Sequence, residues 1–252
     1  MMIDTHCHLS INDYDNLDEI ISHMGNNIMI VSGADDRSNR EVLELCHKYP
    51  NVYGTIGIHP TELDSIVDDT FDFIERNIHD PKIVGIGEIG LDYYWDKDEE
   101  TKKNQKEIFI KQIELANQYG KTIVIHSREA AEDTYNILKE HLHTKAVLHC
   151  YSYSLEMARR FLQMDLKLGI GGVLTFKNSS KLREIVRELD LSCFLLETDS
   201  PYLTPEPYRG EKNEPYNIYY VAEKIAEIKD LPLNTILDAT TKPAIRQFDL
   251  DV

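Results

Sequence analysis

Short apolar runs alternate with helical patterns along the whole chain. Eight runs rich in Ile, Val and Leu predict buried strands, because a strand covered on both faces shows a continuous apolar stretch. The predicted strands span residues 2–3, 28–31, 52–58, 83–86, 122–125, 146–148, 166–170 and 194–196. Strict alternation of strand and helix predicts a parallel sheet with helices on its faces.

The segments between these runs carry apolar residues at helical spacing. Phe109, Ile113 and Ala116 fall at positions i, i+4 and i+7 and predict a helix with one buried face. Residues 234–248 are predicted to form a pair of helices, with the second one starting near Pro243, since proline is favoured in a first helical turn.

Eight such units predict an α/β fold, a TIM-like (β/α)8 barrel, although a doubly wound open sheet has the same alternation. Candidate functional residues end five different strands. In a barrel such residues surround one axis at the C-terminal rim, whereas an open sheet would spread them apart. No linker divides the 252 residues, so we expect one domain over residues 1–252.

Composition narrows the range of partners. A net charge of −17 argues against a protein that binds long duplex DNA through Lys and Arg, although bound metal ions would supply local positive charge. No apolar run approaches the roughly 18 to 20 residues of a membrane span. With no signal-like start and four scattered cysteines, we expect a cytoplasmic protein with reduced thiols, no membrane partner and no obligate protein partner.

Six histidine and carboxylate side chains carry the candidate chemistry. Residues two apart in a strand point the same way, so His6 and His8 would present both imidazoles to one ion. Nitrogen and oxygen ligands suit Mg, Mn, Zn, Ni or Co. Six ligands are too many for one catalytic ion with an open position, so we predict two divalent ions. The predicted ligands are His6, His8, Glu88, His126, His149 and Asp199.

Glu88 and Asp199 are the predicted catalytic carboxylates. Two ions about 3.5 to 4 Å apart could share Glu88 and activate a water molecule as the nucleophile. Asp199 is expected to bind a metal and to accept the proton of the attacking water. The alternative for Asp199 is a helix cap within residues 197–201.

Several longer motifs contain these residues. They are IDTHCHL at 3–9, GIHP at 57–60, GEIGLDYYWD at 87–96, HSREA at 126–130, HCYS at 149–152 and ETDSPYLTP at 197–205. In this combination the chain resembles the TatD-type metal-dependent deoxyribonucleases of the amidohydrolase superfamily over nearly its whole length. The resemblance implies a barrel with two metals: His6, His8 and Asp199 hold one with Glu88, and Glu88, His126 and His149 hold the other.

The resemblance also implies a reaction and a substrate. The expected activity is hydrolysis of phosphodiester bonds, as an exonuclease on single-stranded or frayed DNA ends, with a role in DNA repair or degradation. Tyr153 stands where the family commonly has glycine, which puts the substrate fit in question. The alternatives are hydrolysis of ester, amide or lactone bonds, including D-aminoacyl-tRNA deacylation, and a catalytically idle binding or scaffold barrel.

Four substrate contacts are expected near the metals. His59 ends the third strand and Arg128 lies two residues past a ligand, so both could hold phosphate; the alternatives are a structural histidine and a surface salt bridge. Tyr93 and Trp95, with Tyr94 between them, follow Glu88 on the same loop and could stack on bases, or pack against the rim of the site.

A long irregular segment at residues 200–215 carries four prolines and follows Asp199 directly. A loop this long inside a compact domain is usually functional, so it is expected to border the site. Its Tyr202 and Arg209 are further candidate substrate contacts, and the same segment could instead serve only packing.

Overall fold

The computed structural model describes residues 1–95 and 97–252, so Asp96, the last residue of one motif, lies outside the described residues. Strands and helices alternate along the chain. The strands are β1 Ile3–Cys7, β2 Ile28–Ser32, β3 Val52–Ile56, β4 Ile83–Asp92, β5 Thr122–Arg128, β6 Ala146–Leu148, β7 Lys167–Ile170 and β8 Phe194–Leu196.

The α-helices follow the strands in turn. They are α1 Leu17–His23, α2 Asp36–Lys48, α3 Thr70–Asn77, α4 Glu99–Tyr119, α5 Ala131–His141, α6 Leu155–Leu162, α7 Ser180–Glu188, α8 Ile218–Lys229 and α9 Leu233–Phe248. In the part of the chain that the structure describes, no helix is long and apolar enough to cross a membrane.

The eight strands belong to one sheet, in the order β1 to β8. With a helix after each strand, this order confirms the predicted TIM-like (β/α)8 barrel. By internal contacts the chain divides into two compact units, which are described separately below. Unit 1 holds residues 1–31, 150–163 and 167–252, and unit 2 holds residues 32–149 and 164–166. This division does not test the prediction of one domain over residues 1–252, which stays a prediction.

Within unit 1, the first and last strands meet. β1 pairs in parallel with β2, and β7 pairs in parallel with β8. Just past the strand ends, the backbone N–H of Asp199 donates to the carbonyl of His6 at 3.0 Å, and that of His8 donates to the carbonyl of Ser200 at 2.7 Å. β2 pairs with one edge of β1, and these bonds place the segment after β8 along the other edge.

Within unit 2, three parallel pairs run from β3 to β6. β4 has ten buried residues and pairs along its length with β5, so that Gly90 lies opposite His126. Gly90 has a φ of +145°, and a Cβ there would lie 1.9 Å from the His126 carbonyl oxygen. Only glycine permits this close approach of the two backbones.

The helices cover the sheet with the apolar faces that the sequence predicts. In α4, Phe109, Ile113 and Ala116 are fully buried. The Asp98 side chain caps this helix by accepting from the backbone N–H of Thr101 at 2.9 Å. Helix packing, rather than local propensity, supplies most of the stability of such elements.

Several boundaries differ from the sequence prediction. β1 ends at Cys7, four residues past its predicted end, and β5 ends at Arg128, three residues past its predicted end, so His6 and His126 lie inside strands. β4 runs on to Asp92, six residues past its predicted end, so Glu88 lies inside the strand and not after it. The predicted helical pair at the C-terminus is wrong, because α9 is one helix with Pro243 inside it. Proline removes one backbone hydrogen bond, but buried residues on both sides of it, such as Ile236 and Phe248, hold the helix in place.

All four cysteines are free thiols, as the sequence predicts. Cys7 and Cys46 are buried, and Cys150 and Cys193 are half-buried. The Cys7 thiol contacts the carbonyl oxygen of Ile30 at 3.6 Å. Its two neighbours in sequence, His6 and His8, contact each other instead.

Candidate metal centre

The ends of β1 and β8 bring three predicted ligands of unit 1 together. We call His6, His8 and Asp199 the N-terminal cluster. The Nε2 atoms of His6 and His8 are 3.1 Å apart. Asp199 Oδ1 lies 3.7 Å from His6 Nε2 and 3.6 Å from His8 Nε2. The predicted convergence of both imidazoles on one point is present in the geometry.

A buried carboxylate holds the backbone of this cluster. Asp4 accepts from the backbone N–H of Thr198 at 2.9 Å and of His6 at 3.3 Å, and from the Thr198 hydroxyl at 2.5 Å. Burial raises the pKa of Asp4 well above its usual value, although these hydrogen bonds lower it in part. Asp4 thus ties β1 to the segment that carries Asp199, a residue at φ +55°.

Unit 2 gathers a second group of donors. We call His59, Glu88, His126 and His149 the central cluster. Glu88 is buried, and its Oε1 atom lies 2.8 Å from His126 Nδ1, 3.8 Å from His149 Nε2 and 3.6 Å from His59 Nε2. One carboxylate oxygen therefore faces three imidazoles, two of which are predicted ligands.

Asp92 is a member of this site that the sequence prediction missed. Its Oδ2 atom accepts from His126 Nε2 at 2.9 Å, on the ring edge away from Glu88. Its Oδ1 atom accepts from the backbone N–H groups of Tyr94 and Trp95 at 2.9 and 3.2 Å. Gln105 fixes the Asp92 backbone by bonding both its N–H and its C=O.

Charge interactions at this site favour a cation. Burial raises the pKa of Asp92, but the hydrogen bonds from His126, Trp95 and Tyr94 lower it by more, so it lies below the usual value. Burial lowers the pKa of His126, but the bonds to Asp92 and Glu88 raise it above its usual value. Positive charge between Glu88 and Asp92 is therefore stabilised.

Both clusters fit a divalent ion by their donor chemistry and spacing. Nitrogen and oxygen ligands about 2.0 to 2.2 Å from a common ion lie about 3 to 3.5 Å from one another. In the N-terminal cluster, one donor separation, 3.1 Å, lies within this range, and the other two, 3.6 and 3.7 Å, lie just above it. In the central cluster, Glu88 Oε1 lies 2.8 Å from His126 Nδ1 and 3.8 Å from His149 Nε2. A neutral His126 that donates from Nε2 to Asp92 also leaves its Nδ1 lone pair for a metal.

His59 differs from the ligand histidines in its bonding. Its Nδ1 accepts from the backbone N–H of Thr61 at 3.2 Å and lies 2.7 Å from the Thr61 hydroxyl. A neutral imidazole that accepts at Nδ1 carries its proton on Nε2. The Nε2–H of His59 therefore points a donor toward Glu88, which suits an anionic group better than a metal.

The remaining predicted contacts lie on loops or, for Arg128, at the end of β5. Arg128 and Trp95 are exposed, and the Arg128 guanidinium lies 5.7 Å from the centre of the Trp95 ring. Tyr93 is half-buried, with its hydroxyl donating to Asp133 at 2.8 Å. In unit 1, Tyr202 is largely exposed and lies 6.4 Å from the His8 ring, centre to centre. Their roles in substrate binding stay predictions.

Arg209 and Tyr153 have partners of their own within unit 1. The Arg209 guanidinium stacks on the Phe176 ring, 3.8 Å from its centre. Tyr153, at the position where the sequence departs from the family pattern, lies edge-on to Tyr151 at 6.0 Å. Residues 200–214 form neither an α-helix nor a strand named above, as predicted for this segment.

The fold and these donor clusters define a metal-dependent hydrolase of the barrel class. A model of the family described as TatD related DNase matches residues 3–249. The chain belongs to this family.

Relatives from two bacteria agree with this assignment. The chain is 39% identical over 257 residues to YabD of Bacillus subtilis, with all of both chains covered. It is 32% identical over 265 residues to YcfH of Escherichia coli K12, with 99% and 96% of the two chains covered. Both are named uncharacterized metal-dependent hydrolases.

A solved structure agrees as well. The crystal structure of YJJV, a TatD homolog from Escherichia coli K12, superposes with a TM-score of 0.89 and 30% identity, over 99% of this chain and 98% of that one. The likeness supports the barrel fold along the whole chain.

Proposed function

We propose that this metal-dependent hydrolase cleaves phosphodiester bonds of DNA, acting as an exonuclease on single-stranded or frayed ends. The observation that carries the proposal is the bonding of His59, whose Nδ1 accepts from the Thr61 backbone N–H at 3.2 Å and whose Nε2 lies 3.6 Å from Glu88 Oε1. A proton donor beside the ligands is what a phosphate oxygen requires. The family description, TatD related DNase, agrees with this substrate.

Arg128 adds a second contact for phosphate. It ends β5, two residues past His126, and its side chain is exposed. Guanidinium and imidazole N–H groups bind phosphate oxygens by charge-assisted hydrogen bonds. Hydrolysis of a neutral ester or lactone has no need of such a pair, so His59 and Arg128 favour the phosphodiester over the alternatives.

The two clusters supply the ligands for the reaction. His6, His8 and Asp199 would hold one divalent ion, and Glu88, His126 and His149 would hold another. Bound divalent ions neutralise phosphate charge and lower the pKa of a coordinated water molecule. Sharing of Glu88 between the two ions, and the identity of the metal among Mg, Mn, Zn, Ni and Co, stay predictions.

The side chains have distinct duties in the proposed reaction. Asp199 accepts the proton of the attacking water, which its position beside two imidazoles and its partial exposure permit. His59 Nε2–H donates to a non-bridging phosphate oxygen. Asp92 holds the His126 ring so that Nδ1 faces Glu88. In each of these roles, a named atom of the protein either donates a proton or accepts one.

The test compares bond types with the purified chain. Single-stranded oligonucleotides labelled at the 5′ or the 3′ end are incubated with Mg²⁺ or Mn²⁺, beside a panel of ester, lactone and D-aminoacyl-tRNA substrates. We expect metal-dependent shortening of the DNA strands, and the label that is released first gives the polarity.

Variants of His59 show whether the DNA cleavage comes from this protein and not from a contaminating nuclease. His59→Gln keeps a donor at this position but not the imidazole, and His59→Ala removes both, so we expect a larger loss with alanine. Fast turnover of an ester or lactone with no cleavage of DNA would refute the nuclease proposal and favour the carbonyl substrates.

A further inference from the structure

We propose that Tyr94 and Trp95 on the loop after β4, together with Arg128 at the end of β5, form a stacking platform for an unpaired base of a nucleic acid strand. The inference rests on the proposed function. It names the part of the nucleic acid substrate, an unpaired base, that the protein recognises. It concerns the base next to the phosphodiester, which the metal ligands do not contact.

The platform consists of aromatic rings that are open to solvent. Trp95 has 67% of its surface exposed and Tyr94 has 39%. The two rings meet edge to face, with centres 4.7 Å apart. The high exposure of Trp95 leaves its indole ring accessible to solvent despite this contact. Exposed aromatic faces bind successive or single bases by stacking.

Arg128 fixes the geometry of the rings. Its guanidinium carbon lies 3.8 Å from the centre of the Tyr94 ring and 5.7 Å from that of Trp95. A cation over an aromatic face within about 6 Å is attracted to it. Arg128 therefore covers one face of Tyr94 and keeps N–H donors at the edge of the platform for a phosphate.

The backbone of the platform is held by the same carboxylate that orients a metal ligand. Asp92 Oδ1 accepts from the N–H groups of Tyr94 and Trp95, and its Oδ2 accepts from His126. The preceding residue is anchored too, because the Tyr93 hydroxyl donates to Asp133. A loop fixed in this way loses little conformational entropy on binding.

Cationic side chains lie close to the exposed rings of this loop. Besides Arg128, Lys97 Nζ lies 5.8 Å from the centre of the Tyr94 ring, and Lys102 Nζ lies 5.3 Å from that of Tyr93. Arg128 and Lys97 thus lie beside the Tyr94 ring, whereas Lys102, on α4, pairs with Glu99 at 2.9 Å. Cations beside exposed rings complement a strand that offers both phosphates and unstacked bases. A duplex keeps its bases stacked, so the occupant is a single strand or a frayed end.

The sequence offers a direct reporter, because Trp95 is the only tryptophan of the chain. The Mg²⁺-loaded protein is titrated with a single-stranded thymidylate octamer whose phosphorothioate linkages resist hydrolysis. A matched octamer carries the same backbone without bases. Intrinsic fluorescence then measures whether a base reaches Trp95, while anisotropy of end-labelled strands measures affinity.

We expect the base-containing strand to quench Trp95 fluorescence and to bind about 5- to 150-fold more tightly than the baseless strand. Trp95→Ala should remove most of this difference, and Trp95→Phe, which keeps a ring, should retain much of it. Arg40→Ala is the matched control, because Arg40 lies 4.3 Å over the Phe73 ring on another surface of unit 2. Its affinities should match those of the wild type.

Equal affinity and equal quenching with both strands would overturn the platform. If the wild type then still cleaves ordinary single strands with Mg²⁺, the proposed function stands without it. If no strand is cleaved under any condition, the proposed function fails, and the platform fails with it.

Discussion

Asp92 and His126 are joined by a hydrogen bond of 2.9 Å between Oδ2 and Nε2, on the ring edge opposite Glu88. Histidine ligands of metals commonly donate their second ring N–H to a carboxylate, which fixes the ring and the tautomer. Asp92 therefore orients His126, a predicted metal ligand, although Asp92 is not itself a predicted ligand.

Loss of this carboxylate should weaken metal binding. Asp92→Asn is expected to lower metal affinity about 10- to 100-fold, because a neutral amide no longer favours the required tautomer of His126. Isothermal titration with Mn²⁺ gives the affinity without any assay of activity. Asp80→Asn is the matched control, since Asp80 also pairs with a histidine, His47, at 2.6 Å. Unchanged affinity in Asp92→Asn with correct folding would remove its positioning role.

Metal content should follow the two clusters separately. The wild-type chain is expected to bind two Mn²⁺ ions, and His8→Ala should bind one tightly, because the central cluster keeps all its donors. His79→Ala, which alters an exposed histidine, should keep both ions. Mass spectrometry of the native protein or elemental analysis counts the ions. One ion per wild-type chain would contradict the assignment of a site to each cluster.

Much of this account was available from the sequence. The apolar runs located all eight strands, and the six predicted ligands fall into the two clusters, although His6, Glu88 and His126 lie inside β1, β4 and β5 and not after them. The length of β4 was not predictable from its run, since Gly85, Gly87 and Gly90 interrupt the apolar pattern. Asp92 was missed for this reason, although it stands four residues after Glu88, on the same side of a strand.

The sequence did not predict which side chains contact each other in the loops. The bond from Thr61 N–H to His59 and the contact of Arg128 with Tyr94 depend on the exact course of loops. Periodicity also failed at Pro243, where tertiary packing outweighs the cost of a proline inside a helix. Local patterns fix the type of an element better than they fix its ends.

The core of unit 2 should be sensitive to truncation. Phe109 on α4 is fully buried. Phe109→Ala is expected to lower the free energy of unfolding by about 3 to 5 kcal/mol, through lost burial and the cavity that remains. Ile11→Ala alters an exposed side chain and should change it by less than about 0.5 kcal/mol. Urea unfolding followed by circular dichroism compares the variants, and equal midpoints would contradict the packing described here.

The thiol of Cys46 should resist alkylation. Burial raises its pKa to about 12. In the unfolded chain the thiol ionises near about 8.5, so its contribution to stability is complete below that pH and is lost as the pH rises toward 12. With iodoacetamide at pH 8.5, mass spectrometry should find Cys46 unmodified in the folded protein and modified in urea. Equal rates in both states would show that this thiol is accessible.

The central claim is that the donors around Glu88 bind a metal that phosphodiester hydrolysis requires. Its most direct test is the cleavage rate of an end-labelled single-stranded oligonucleotide, measured across a Mg²⁺ or Mn²⁺ titration after EDTA treatment. We predict no cleavage before metal is restored, recovery with metal in the wild type and in Asp80→Asn, and a loss of at least about 100-fold in Glu88→Gln at saturating metal. Cleavage that persists in EDTA, or a Glu88→Gln rate equal to that of the wild type, would contradict the claim.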